Sequence, residues 1–264
     1  MRREVKANKK YWDELAKIHY NSYHLDKLRK GGISLDSIQT EELGDISNKK
    51  LLHLQCHIGS DSLSLVRLGA EVTAIDLSPK SIEYAIRLSK ELGLPARFIE
   101  CELYDAPQHV QEQFDIVYIS QGAICWLHDL AAWAKLIFDF LNPGGFLYIM
   151  DTHPVLYSLE EKQGKLDFEY SYFHNEEPLQ TGGEPDYADA SFVSENPTYE
   201  WIWPISDILN ALIAAGLRIE FFNEYDRIFY KALDSMVQDE DGWWVLPNHR
   251  GKIPLTFTLK AFKP

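Results

Sequence analysis

The sequence is poor in cysteine, in basic residues and in long apolar runs. Its 264 residues include three cysteines, an odd number with no Cys-x-x-Cys pair, which indicates reduced thiols rather than a disulfide framework. Only 26 Lys and Arg stand against 40 Asp and Glu, and the net charge of −14 argues against sequence-independent binding to nucleic acid or to an anionic membrane surface. No stretch approaches the roughly 18 apolar residues that span a bilayer.

The beginning of the sequence also lacks a targeting signal. Its opening, MRREVKANKKYWDELAKIHY, contains no apolar segment of the kind found in signal peptides, so we expect a cytoplasmic protein. A His-Glu-x-x-His motif and cysteine or histidine pairs at zinc spacing are likewise missing from the sequence. We therefore expect no metal site.

Apolar segments alternate with helical segments through the first half of the chain. The pattern predicts strands at 51–56, 71–76, 96–101, 114–120 and 146–151, with helices at about 60–68, 79–92 and 129–141 between them. A further helix near Ser206, with Gly216 as its cap, precedes strands at 217–223 and 253–262. Strands and helices that alternate through short connections predict an α/β fold with a doubly wound, mostly parallel sheet.

Two regions depart from this alternation. Residues 1–44 predict an N-terminal helical cap, with one helix at 9–30 and a second after Ser34. Residues 153–200 are rich in aromatic residues and predict an insertion after the fifth strand, either a substrate lid or a small antiparallel subdomain. The sheet domain then comprises 45–152 and 201–264. Trp243-Trp244 lies in a long connection and belongs to the core or to a dimer surface.

The most informative segment is LLHLQCHIGSDSLSLVRLGAEVTAID, residues 51–76. It predicts a strand, a turn, a helix ending at Gly69 and a second strand ending in Asp76, which is half of a nucleotide-binding βαβ unit. A carboxylate at that position can accept hydrogen bonds from the two hydroxyls of a ribose. The alternative for Asp76 is a turn that prepares the helix cap at Ser78.

Three segments in order resemble the class I S-adenosylmethionine-dependent methyltransferases: LLHLQCHIGSDSLSLVRLGAEVTAIDLSPKSIEYA, FDIVYISQGAICWL and LNPGGFLYI. The resemblance covers roughly residues 45–152 and 200–264. It implies a seven-stranded Rossmann-like sheet in which strand seven runs antiparallel between strands five and six, with S-adenosylmethionine as cofactor. The chain is most similar to an uncharacterised bacterial subgroup with an HLQCH turn.

The turn after the first strand departs from the family pattern. The family has acid-x-Gly-x-Gly-x-Gly, and this chain has His53, Gln55, His57 and Gly59 at those four positions. Glycine tolerates positive φ, so Gln55 and His57 must either adopt such angles or reshape the loop. Their amide and imidazole groups can hydrogen-bond the methionine part of the cofactor.

The resemblance implies further contacts on the carboxyl-terminal edge of the sheet. Glu102 and Leu103 correspond to adenine contacts, and Asp105 is the rival to Glu102. Ser120 and Gln121 end the fourth strand and either contact a ligand or are simply polar loop residues. The full set of expected cofactor contacts is Gln55, Cys56, His57, Gly59, Asp61, Asp76, Leu77, Glu102, Leu103, Ser120 and Gln121.

Four of the candidate side chains have equally simple structural explanations. Asp61 either caps the following helix or contacts the amino group of the methionine moiety. Cys56 packs as a small apolar residue and contacts the ligand at most through its backbone. Tyr11 and Trp12 on the first helix either close over the cofactor, as in similar enzymes, or pack as ordinary helix residues.

His153 is the candidate catalytic residue. It follows Asp151 at the end of the fifth strand, where an imidazole can act as general base for a hydroxyl, thiol or amine. His128 and His174 are its rivals, and a structural role is the alternative for all three.

The resulting hypothesis is methyl transfer to a small-molecule acceptor by in-line displacement, which needs alignment and water exclusion more than a catalytic triad. The alternatives are a non-catalytic cofactor-binding regulator or remnant and, less favoured without Gly-x-Gly-x-x-Gly, a nicotinamide-dependent oxidoreductase. The sequence leaves open the acceptor, the atom that is methylated and the choice between monomer and homodimer.

Overall fold

The computed structural model describes residues 1–23 and 25–264. Three helices precede the sheet: α1 (Arg3–Ser22), α2 (Asp26–Arg29) and α3 (Ser37–Leu43). The single helix predicted at 9–30 is wrong, because α1 starts earlier and stops at Ser22, and α2 is a separate short helix. The cap of α3 is Asp36, not Ser34, because the Asp36 carboxylate accepts from the Gln39 backbone N–H while the Gln39 amide accepts from the Asp36 N–H.

Seven strands form the main sheet, and we number strands in chain order. They are β1 (Lys50–Leu54), β2 (Glu71–Asp76), β3 (Arg97–Glu100), β4 (Phe114–Ser120), β5 (Leu141–Thr152), β10 (Arg218–Tyr225) and β13 (Thr256–Phe262). Their spatial order is β3-β2-β1-β4-β5-β13-β10. The first five are parallel, and β13 is antiparallel to both β5 and β10. The predicted fold class and strand topology are confirmed.

Five helices connect or cover these strands: α4 (Ser60–Arg67), α5 (Pro79–Leu92), α6 (Ala106–His109), α7 (Leu130–Phe140) and α8 (Ile205–Ala214). Local chemistry explains the bounds of α5. Its cap Ser78 accepts a hydrogen bond from the Ser81 N–H, Pro79 occupies the first turn, and Gly93 ends the helix at φ 65°. Asp129 caps α7 in the same way, through the Ala132 N–H.

Asn142-Pro143-Gly144-Gly145 has the composition of a helix stop and tight turn, but in the structure it belongs to a strand. It forms the irregular start of β5, whose register against β4 shifts between Phe114 and Ile116. The Gly144 N–H donates to the Lys263 carbonyl at 2.8 Å. A Cβ on Gly145 would lie 2.8 Å from the Asp115 carbonyl oxygen, so the strand approaches its neighbour too closely for a side chain.

The core lies on both faces of the sheet. On one face, α7 and α8 pack with Trp133 against the central strands. On the other, Tyr118 and Tyr148 pack with the α3 region. The Glu42 carboxylate of α3 accepts from the hydroxyls of Tyr148, Tyr225 and Thr258 at 2.8, 2.9 and 2.9 Å. These hydrogen bonds fasten the N-terminal helices to the sheet.

Between β5 and α8 the chain forms two short antiparallel pairs, β6 (Leu159–Lys162) with β7 (Lys165–Phe168) and β8 (Leu179–Thr181) with β9 (Thr198–Glu200). The Asn8 side chain both donates to and accepts from the Tyr199 backbone at 2.8 Å, which joins α1 to β9.

A third pair, β11 (Val237–Gln238) with β12 (Trp244–Val245), lies before β13. Trp243 is buried in the core, which favours the core prediction for this residue. Across residues 1–23 and 25–264, every helix is too short or too polar to traverse a bilayer.

Candidate functional site

A cavity of about 700 Å³ opens at the carboxyl-terminal edge of the parallel strands. This edge is where ligands bind in open α/β sheets. Every predicted cofactor contact except Gly59 lines the cavity, namely Gln55, Cys56, His57, Asp61, Asp76, Leu77, Glu102, Leu103, Ser120 and Gln121. The structure therefore brings together residues that are dispersed from position 55 to position 121.

The loop between β1 and α4 keeps its left-handed turns without the expected glycines. Gln55 has φ 57°, His57 has φ 49° and Gly59 has φ 75°. A non-glycine residue in this region costs on the order of 1–2 kcal/mol. Gln55 and His57 thus adopt the angles that glycine would supply, and the loop is not reshaped to avoid them.

Asp76 holds this loop from the neighbouring strand. One carboxylate oxygen accepts from the His57 N–H at 2.7 Å and the other from the Ser78 N–H at 2.8 Å. Burial raises the pKa of Asp76 to about 6, against the opposing effect of these backbone donors. Each carboxylate oxygen keeps a free lone pair, so the group can still accept from a ligand.

Gln55 carries an unpaired acceptor. Its Nε2 donates to the Ala123 carbonyl at 3.0 Å, while its Oε1 is buried without a hydrogen-bond partner among the described residues. An unsatisfied buried acceptor costs about 1–3 kcal/mol. Because Gln55 lines the cavity, a donor group on a bound ligand can remove this cost.

Gly59 does not line the cavity, in contrast to the prediction. A Cβ at this position would lie 2.8 Å from the Phe98 ring and 3.0 Å from the Ala85 Cβ. Gly59 is therefore needed where the start of α4 packs against β3 and α5. The glycine permits this close packing and the positive φ, while its predicted contact with the cofactor stays a prediction.

His53 takes the place of the family's acid and is a cavity residue that the predicted set omitted. Its Nδ1 lies 2.8 Å from the Ser62 hydroxyl and its Nε2 3.4 Å from that of Ser120. Burial lowers the pKa of His53 to about 3, so the ring is neutral.

The capping alternative for Asp61 is wrong, because α4 has no side-chain cap and the Asp61 carboxylate instead accepts from the Ser34 hydroxyl at 2.5 Å.

Glu102 combines a structural bond with a place on the cavity wall. Its carboxylate accepts from the Tyr104 N–H at 2.9 Å and so caps the short 3₁₀ turn Leu103–Asp105. Burial raises the pKa of Glu102. The rival, Asp105, is exposed and outside the cavity lining. The geometry thus favours Glu102.

Asp151 organises the loop after β4, a role that the sequence did not indicate. Its carboxylate accepts from the N–H groups of Gly122, Ala123 and Ile124 at 2.5, 3.1 and 2.9 Å. Gln121, at the start of this loop, has φ 38°. A buried carboxylate that collects several backbone donors fixes the loop that carries Gln121 into the cavity wall.

The structure gives no support to His153 as a general base. Its ring lies away from the cavity lining, with Nε2 2.9 Å from a Glu224 carboxylate oxygen and Nδ1 accepting from the Val155 N–H at 3.2 Å. His128 packs against Tyr104, and His174 stacks on Trp203 with ring centroids 3.6 Å apart. Neither rival lines the cavity.

Aromatic rings line the cavity from four distant parts of the chain. Trp12 of α1 lies 5.0 Å from the His57 ring and 5.4 Å from the Trp126 ring, centroid to centroid. Further rings on the lining come from Tyr187, Phe229, Tyr230 and Trp244. Of the two predicted α1 residues, Trp12 lines the cavity and Tyr11 does not. The high aromatic content was the signal for the remaining rings, but the sequence did not single out Phe229, Tyr230 or Trp244 for this role.

Comparison with known proteins agrees with this geometry. Residues 51–145 match the family described as "Methyltransferase domain". A ubiquinone biosynthesis O-methyltransferase from Psychrobacter cryohalolentis is 30% identical over 122 residues, which cover 46% of this chain and 47% of that protein. The chain thus spans about half the length of this relative.

Solved structures extend the agreement in fold beyond the matched segment. An S-adenosylmethionine-dependent methyltransferase from Mesorhizobium loti gives a TM-score of 0.58 at 18% identity, covering 84% of this chain and 94% of that one. One from Clostridium acetobutylicum gives 0.59 at 16% identity, covering 93% and 98%. Residues 51–145 therefore match a methyltransferase domain, and the predicted fold is confirmed over most of the chain, while the similarity to a subgroup with an HLQCH turn stays a prediction.

Proposed function

We propose that this chain transfers the methyl group of S-adenosylmethionine to a small-molecule acceptor. The observation that carries the proposal is the cavity at the edge of the sheet. There Asp76 faces a loop in which Gln55 and His57 adopt the positive φ angles that glycine usually supplies. The match of residues 51–145 to the methyltransferase domain supports the same activity.

The residues present fit the cofactor. The Asp76 carboxylate has free lone pairs for the two ribose hydroxyls. The unpaired Gln55 Oε1 can accept from the methionine ammonium group. Glu102 and Leu103 would contact the adenine. A cavity of about 700 Å³ is in the range of small-molecule and cofactor sites.

When bound, S-adenosylmethionine supplies a methyl carbon that the neighbouring sulfonium already activates. The chain's own residues then need to align the acceptor with that carbon and to exclude water. Trp12, Trp126 and Tyr187 on the cavity wall can do both. With His153 outside the cavity lining, no general base is assigned.

The structure argues against a remnant and against an oxidoreductase, whereas an enzyme and a cofactor-binding regulator would share this cavity and are separated by the acceptor screen described below. A remnant could lose the loop conformation and fill the cavity, whereas here the loop keeps its turns and the cavity has room for a nucleoside. A nicotinamide-dependent oxidoreductase lacks support from the matched domain. The net charge of −14 favours a small acceptor over nucleic acid. The name of the Psychrobacter relative makes a hydroxyl oxygen the first acceptor atom to test.

Thermal unfolding with S-adenosylmethionine, S-adenosylhomocysteine and NAD tests the proposal. A ligand at 100 times its Kd adds about 2.7 kcal/mol of stability, so both adenosyl ligands should raise Tm and NAD should not. The Asp76→Ala variant should lose the response, with Asp105→Ala as its matched control. A response to NAD alone would refute the proposal. Release of S-adenosylhomocysteine in an acceptor screen then separates an enzyme from a binding protein.

A further inference from the structure

Four polar side chains form a buried chain of hydrogen bonds beside the candidate cofactor loop. The Ser81 hydroxyl lies 2.9 Å from His57 Nδ1, and His57 Nε2 lies 2.8 Å from His19 Nδ1. His19 Nε2 lies 3.0 Å from Asp186 Oδ2. We call Ser81, His57, His19 and Asp186 the relay. It joins α5, the β1–α4 loop, α1 and the insertion.

The relay has a defined direction. Asp186 Oδ1 accepts from the N–H groups of Ala188 and Asp189 at 2.9 and 3.0 Å, so Oδ2 remains for His19. Burial alone would raise the pKa of Asp186, but the hydrogen bond from His19 helps to lower it below its ordinary value. The ionised carboxylate only accepts, so His19 donates from Nε2, and we assign the neutral tautomer of His19, in which Nδ1 accepts.

The same logic continues to His57. Because His19 Nδ1 is an acceptor, His57 must donate from Nε2, and its Nδ1 then accepts from the Ser81 hydroxyl. Burial lowers the pKa of His57 well below its usual range, which keeps the ring neutral. The relay thus fixes the tautomer and the orientation of both rings.

We propose that His19 and Asp186 are positioning residues for the cofactor, acting through His57. The proposal rests on the function proposed above. His57 holds a left-handed backbone at φ 49°, and its N–H donates to the Asp76 carboxylate at 2.7 Å. The relay holds the His57 ring and Asp76 holds the His57 backbone, so the two together fix the loop that lies against the Asp76 carboxylate.

The relay also joins the two sides of the cavity. Tyr187, next to Asp186 in the chain, lines the cavity, and its hydroxyl is hydrogen-bonded to that of Tyr23 beyond the end of α1. The Tyr23 ring stacks on His19 at 4.6 Å. A movement of the insertion would therefore displace His19 and, through it, His57 in the cofactor loop.

A double-mutant cycle on S-adenosylhomocysteine affinity, measured by calorimetry, tests the proposal. Asp186→Ala should weaken binding about tenfold, the equivalent of one hydrogen bond. In a His57→Gly background, which restores glycine to the loop, the same change should alter Kd less than about twofold. Asp189→Ala is the matched control, because its carboxylate accepts from Ser191 in the same turn, outside the relay.

A second variant gives a spectroscopic signature. In Asp186→Asn the two backbone donors require oxygen at Oδ1, so the amide NH₂ faces His19 and the relay should reverse. Imidazole ¹⁵N NMR should then show Nδ1 of His19 and His57 unprotonated in the wild type and protonated in the variant. In Asp186→Asn each relay hydrogen bond is kept with its direction reversed, so this variant should fold. It therefore provides a test even if Asp186→Ala does not fold.

The outcomes separate the two proposals. A wild-type protein that binds no adenosyl ligand overturns the proposed function. If the wild type binds but Asp186→Ala leaves Kd unchanged, or weakens it equally with glycine at position 57, the positioning role is overturned while the function stands. Protonated Nδ1 on His57 in the wild type would also overturn it.

Discussion

Cofactor affinity should depend on pH through Asp76. Burial raises the pKa of this carboxyl to about 6 in the free protein. The ionised form is the better acceptor for ribose hydroxyls, so cofactor binding favours ionisation and lowers this raised pKa. Affinity is therefore fully present above pH 6 and is lost as the pH falls.

The magnitude follows from the free-protein pKa. When only the ionised form binds, the apparent Kd rises by about twofold at pH 6 and about 11-fold at pH 5, relative to pH 8. The latter corresponds to about 1.4 kcal/mol of binding free energy. Folding stability responds in the opposite sense: Asp76 has a higher pKa folded than unfolded, so its contribution to the unfolding free energy grows as the pH falls through 6.

Calorimetric titration of S-adenosylhomocysteine from pH 5 to 8 measures this effect. His53, with a pKa near 3, and His57, with a pKa well below its usual range, stay neutral throughout. Burial also raises the pKa of Glu102 and of Asp61, so Asp76→Asn isolates the contribution of Asp76. That variant should bind more weakly with a flatter profile. A wild-type Kd that is constant over this range, or an identical slope in the variant, would refute the reasoning.

Three further predictions concern individual residues. Gly59→Ala should lower the free energy of unfolding, measured with urea, by about 1–3 kcal/mol more than Gly93→Ala does. Both glycines have positive φ, but only Gly59 faces the Phe98 ring. Equal losses in the two variants would contradict the packing argument. Gln55→Leu should weaken S-adenosylhomocysteine binding about tenfold or more through the lost acceptor, and an unchanged Kd in a folded variant would remove Gln55 from the site. His153→Gln should leave the rate of methyl transfer to an identified acceptor within about twofold, since the ring bonds Glu224 outside the cavity lining, and a loss of about 100-fold or more would reinstate His153 as a general base.

Local signals in the sequence predicted most of the sheet domain. The strands 71–76 and 114–120, and the helix between Ser78 and Gly93, agree with the structure because capping residues and apolar runs act over a few positions. The end of α1 at Ser22 was missed, and so was the strand-forming start of β5, which depends on pairing with the distant strand β4.

The candidate site divides in the same way. Asp76 and the loop at 55–57 were predicted because a strand end followed by a turn is visible in the sequence. The relay was not, because Asp186 and His19 are 167 positions apart and neither lies in a recognisable motif. Gly59 was predicted as a cofactor contact from the loop pattern, and its close approach to Phe98 could not be predicted because that contact is with a distant segment.

The division of the cavity explains why the acceptor cannot be carried over from relatives. The expected cofactor contacts all lie between 55 and 121, inside the segment 51–145 that matches the methyltransferase domain. Much of the remaining wall comes from Trp12, Tyr187, Phe229, Tyr230 and Trp244, all outside it. The expected cofactor contacts and the aromatic wall residues can vary separately in evolution, because cofactor binding constrains only the cofactor contacts. Variation in α1, the insertion and the segment before β13 should therefore change the acceptor while leaving the cofactor in place. The relay is the connection through which such changes would reach the cofactor loop.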